Sequence, residues 1–225
     1  MTQAPDILDD PQRAAPLLLA AADDANAAST AAITDLLGPY LAAGARLDDW
    51  APVIRELGRS LRSTHNALRT AEEHFATRDS ALTEACRVRT EAIGALREQL
   101  QAARAVVGAV FGPAELKKAA LDEEIPNEAM SLVRMASQVS TKLSYFIGFP
   151  ALRRGLALSE RVHHAPLGSA LHALASAMAA VRSSERAQQH ARAARIQAQE
   201  AFELRSREAV RTLDELMRRA VLTTR

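Results

Sequence analysis

No proline interrupts the chain between Pro52 and Pro113, and one seven-residue register runs through that whole span. It reads Ile54, Leu61, Leu68, Phe75, Leu82, then Arg89, then Leu96, Ala103 and Val110. A repeat of this period, held for about eight heptads, marks a long helix that buries one stripe against a partner helix. A helix of about 60 residues extends about 90 Å. Asp48 or Asp49 can cap its start, with Pro52 inside the first turn, and Gly112-Pro113 closes it. The companion row drifts along the helix. Leu57, Thr64 and Ala71 fall three residues after the main positions, whereas Cys86, Ile93, Leu100 and Val107 fall four after. A straight helix drifts about 20° per heptad against a strict seven-residue repeat, so this drift predicts either less supercoiling or, the preferred reading, different packing partners at the two ends.

A second long helix is expected from about residue 168 to 223, a stretch without glycine or proline after Gly168. Along it Ala170, Ala173, Ala177, Ala180, Ser184, Ala187, Ala191, Ala194, Ala198 and Ala201 alternate spacings of three and four. Small side chains at such positions let two helices approach closely, so this row reads as a tight helix–helix seam. The seam residues taken as packing positions are therefore Ile54, Leu61, Leu68, Phe75, Leu82 and Leu96 on the first long helix, with Ala177, Ala180, Ala187, Ala191, Ala194 and Ala198 on the second. The acid-first pairs Glu203/Arg207, Asp214/Arg218 and Glu215/Arg219 support helix by a few tenths of a kcal/mol each.

The rest of the chain reads as shorter helical pieces. Residues 1–10 form a loose tail, and a helix at about 11–37 stops at Gly38-Pro39. The first long helix occupies about 49–111, followed by pieces at about 114–121, 127–147 and 150–162. The piece at 127–147 is apolar around more than half its circumference and should be well buried. Two long helices joined by a mostly helical connector most simply fold back as an antiparallel pair. The expected fold is all-α: an elongated antiparallel helical bundle, a coiled-coil hairpin with shorter helices at each end, making residues 11–225 one domain. Residues about 62–92 and 182–208 are polar apart from one seam each, which predicts a two-stranded waist or a dimer contact there.

Composition narrows the function classes. The formal charge is +1, from 28 Lys and Arg against 27 Asp and Glu, so the whole chain has no electrostatic footprint for nucleic acid or an anionic membrane. Only Lys117, Lys118 and Lys142 are lysines, and this arginine bias, with abundant alanine, suggests a GC-rich bacterial genome. Asp6, Asp9 and Asp10 stand where a signal peptide needs positive charge, and no apolar run approaches the roughly 20 residues that span a bilayer, so a cytoplasmic protein is expected.

No catalytic constellation emerges. Glu160-Arg161-Val162-His163 is a lone Glu-x-x-His, where di-iron bundles need two, and it reads as a helix end with His163 and His164 near the last carbonyls. His65 and His74, and His164 and His172, lack the i, i+4 spacing of a helical zinc pair. Cys86 occupies a seam position and reads as a packed thiol. The basic run Arg186 to Arg195 lacks interleaved aromatics and is flanked by Glu185, Glu200 and Glu203, so it reads as a solvated helix flank. No metal, cofactor or nucleic acid is expected.

One apolar cluster exceeds this pattern. Val107, Val110 and Phe111 lie close, in an antiparallel pairing, to Tyr145, Phe146, Ile147 and Phe149. They read either as the core of that end of the bundle or as an exposed tip for a partner or a membrane. The function expected is a non-enzymatic coiled-coil scaffold or adaptor, working by protein–protein interaction or as a homo-oligomer. The alternative is a membrane-active bundle of pore-forming or membrane-remodelling type.

Overall fold

The computed structural model of the protein describes Leu19, residues 51–147 and residues 164–222. Every element among them is helical: α1 spans Ala51–Phe111, α2 Pro113–Lys118, α3 Ala129–Phe146 and α4 Ala165–Leu222. The tail at 1–10 and the expected helices at 11–37 and 150–162 lie outside the described residues, except for Leu19, which is helical. The all-α class read from the sequence is the class observed.

The chain divides into two compact units, Thr77–Gln189 and the remainder, Met1–Ala76 with His190–Arg225. The division falls between Phe75 and Leu82 of the α1 register and just after Gln188, the first polar member of the inward row of α4.

In the unit Thr77–Gln189, α3 and the adjoining parts of α1 and α4 enclose a core. Leu96, Leu100, Ala103, Val107, Val110 and Phe111 of α1 are buried there with Leu132, Met135, Ala136, Val139 and Leu143 of α3 and Leu167 and Leu174 of α4. On α3 the buried residues recur at spacings of three and four, with Val133 and Phe146 partly buried against the same core. Gln188 donates to Asp79 at 2.7 Å, well along both helices from that core, so α1 and α4 run antiparallel in this unit.

The connection between α1 and α3 is built from local backbone chemistry. Gly112 ends α1 with φ 90 and ψ 167, a conformation open only to glycine, and Pro113 begins α2. The helix expected through residue 121 instead ends at Lys118, because Ala120 takes the left-handed conformation with φ 57. There the N–H of Leu121 donates to the Leu116 carbonyl at 2.8 Å and that of Ala120 to Lys117 at 3.2 Å. This is a Schellman ending, with alanine where glycine is the usual residue. Leu121 and Ile125 turn inward to the core, and Arg104 Nε donates to the Leu121 carbonyl at 2.6 Å while its Nη2 donates to that of Glu123. The acidic loop is thus tied to α1 through its backbone.

The starts of α3 and α4 also differ from the sequence reading. α3 starts at Ala129, not 127, because Glu128 is its cap and accepts from the N–H groups of Met130 and Ser131 at 2.9 and 2.7 Å. α4 starts at Ala165, not 168, with Pro166 in its first turn. A proline there forfeits no helical hydrogen bond, since first-turn N–H groups have no intrahelical acceptor.

In the other unit, Ile54 and Leu61 of α1 and Ala191, Ala209, Val210 and Leu213 of α4 are buried. Ring contacts give the pairing. His65 lies 5.7 Å from Phe202, and Arg195 sits over Phe75, so rising numbers on α1 meet falling numbers on α4. Arg62 Nη2 donates to the Leu19 carbonyl at 2.8 Å.

Candidate functional site

The candidate site is helix surface, so the first question is which row of each long helix faces inward. On α1 the seven-residue register is retained inward throughout. Ile54, Leu61, Leu96, Ala103 and Val110 are buried, and Leu68, Phe75, Leu82 and Arg89 are half-buried. The companion positions behave as their spacing implies, with Leu57, Thr64 and Ala71 half-buried, Cys86 and Ile93 half-buried, and Leu100 and Val107 buried.

On α4 the alanine row splits. Ala177 and Ala191 are buried and Ala187 and Ala198 half-buried, but Ala180 and Ala194 are exposed, as are Ala173 and Ala201. Apart from Ala187, the inward half is the strict seven-residue set Ala170, Ala177, Ser184, Ala191 and Ala198. Its inward companion is a different row: Leu167, Leu174 and Val181 are buried, Gln188, Arg195 and Phe202 half-buried, and Ala209 buried. Ala180 and Ala194 each adjoin a residue of this row. Burying leucine, valine and phenylalanine removes more apolar surface from water than burying methyl groups, so α4 is rotated toward the larger residues. The signal was present in the sequence as a seven-residue repeat starting at Leu167, masked by the polar Gln188 and Arg195 in its middle.

Those polar members are paired within their own units. Arg195 rests on the Phe75 ring and Gln188 on the Asp79 carboxylate, so one arginine of the basic run at 186–195 is turned onto an aromatic face while Arg186, His190 and Arg192 are exposed. On the outer surface of α1, Arg87 bridges Glu84, at 2.6 Å, and Glu91. The hydrogen bonds from Arg87 hold the Glu84 carboxyl below its ordinary range, and the two carboxylates push the guanidinium up. Exposed pairs of this kind contribute little to stability. Glu203/Arg207 forms at 3.4 Å, whereas Arg218 and Arg219 have side chains outside the described residues.

The apolar cluster divides in the same way. Val107, Val110 and Phe111 are buried in the core, Phe146 and Ile147 are partly buried against it, and Tyr145 is 70% exposed. The Phe111 and Phe146 rings meet at 5.2 Å. Phe149 lies outside the described residues. Larger exposed apolar side chains are also found at Val53 and Val88 on α1, Met130 on α3, and Ile196 and Leu204 on α4.

His164 stands immediately before α4, and its Nε2 lies 3.1 Å from the Ser140 carbonyl and 3.2 Å from Ser140 Oγ. His163 and Glu160 lie outside the described residues. His65 packs on Phe202, and Cys86 is a half-buried free thiol. Among the described residues no group of three or more His, Cys, Asp or Glu is placed to hold a metal ion, and no helix is long and apolar enough to cross a membrane. The protein thus belongs by fold to the all-helical class built on long paired helices. No family model, curated protein or solved structure matches the chain.

Proposed function

We propose that this chain is a non-enzymatic coiled-coil scaffold or adaptor that works by associating with itself or with another protein along its helix surfaces. The observation that supports it is the way α1 and α4 are used. They are 61 and 58 residues long, their inward rows pair with each other in both units, and their outward rows remain as long helical faces. Helical faces of this kind recognise other helices through apolar residues at helical spacing. A cytoplasmic, bacterial setting goes with the proposal, on the residue usage described above.

Sedimentation velocity over a wide concentration range tests it. Association driven by mass action raises the mean mass above 24.2 kDa as concentration rises, and Ile196→Glu with Leu204→Glu should reverse the rise. A mass that stays at 24.2 kDa at every concentration overturns self-association. Co-flotation with vesicles that survives high salt would replace this reading with the membrane-active alternative.

A further inference from the structure

We draw no further inference here: the strongest candidate, the outward face of α4 that carries Ile196 and Leu204 with Ala193 and Ala201, has nothing in the structure to show what covers it.

Discussion

The guanidinium carbon of Arg195 lies 4.7 Å from the centroid of the Phe75 ring, so a cation rests on an aromatic face at inward positions of α4 and α1. Cation–π contacts contribute about 0.5–1 kcal/mol at exposed sites and more when desolvated. A double-mutant cycle with Phe75→Leu and Arg195→Met, read by chemical denaturation, should give a coupling of about that size. Strict additivity of the two single changes would mean that the contact contributes nothing.

The α1–α3 connection contains a glycine that must be glycine and an alanine that need not be alanine. Gly112 at φ 90 cannot accept a side chain without strain, so Gly112→Ala should destabilise by about 1–3 kcal/mol. Ala120 at φ 57 is already in a left-handed conformation that costs an L-residue roughly 1–2 kcal/mol, so Ala120→Gly should stabilise. Thermal denaturation of the two variants should therefore move the midpoint in opposite directions.

Gly94 lies in the interior of α1, and a Cβ added there meets nothing within 4 Å. Gly94→Ala removes the entropic penalty of glycine in a helix and should stabilise by about 0.5–1 kcal/mol. A loss of stability in the same denaturation assay would place an unrecognised contact at that position.

Glu128 makes the start of α3 sensitive to acid. The Ser131 hydroxyl, then the N–H groups of Ser131 and Met130, hold its carboxyl below the ordinary 4.5. A group depressed on folding stabilises fully above its unfolded value and loses that contribution as pH falls through its folded value. The melting midpoint of the wild type should exceed that of Glu128→Gln at neutral pH, and the gap should close progressively as pH falls below 4.5. A gap that persists unchanged into strong acid would show that the carboxylate charge is not involved.

Leu132 is fully buried in the core of the unit Thr77–Gln189. Leu132→Ala leaves a cavity between α3 and its neighbours and should cost about 2–5 kcal/mol. Amide hydrogen exchange should show the loss in α3 and in the α1 residues that share its core. Exchange unchanged in both would mean that this core is not formed as described.

Much of the fold was legible in the chain, and the reasons can be followed residue by residue. The row from Ile54 to Val110 faces inward along all of α1, because one helix carrying apolar residues every seven positions has a single stripe to bury. The candidate surface was less legible. Ala180 and Ala194 share the spacing of Ala177 and Ala191, yet they are exposed. Spacing along one helix gives the angle between rows but not which of two adjacent rows a partner will cover. Likewise Val107, Val110 and Phe111 read first as a core, with an exposed tip as the alternative, until α3 is seen to lie against them.

The amino-acid sequence by itself determined the all-helical class, the length of α1, the stop at Gly112-Pro113 and the inward stripe of α1, since these depend on periodicity and on the backbone limits of glycine and proline. Only the tertiary structure decided the rotation of α4, the gathering of contacts into two units and the left-handed turn at Ala120. Each of these depends on free energies summed over residues distant in sequence. Larger side chains on α4 outcompete alanines for the same partner surface. Gln188 and Arg195, the polar members of the inward row of α4, lie on either side of the division. The inward packing of Leu121 and the two carbonyls held by Arg104 accompany an alanine conformation that local preference disfavours.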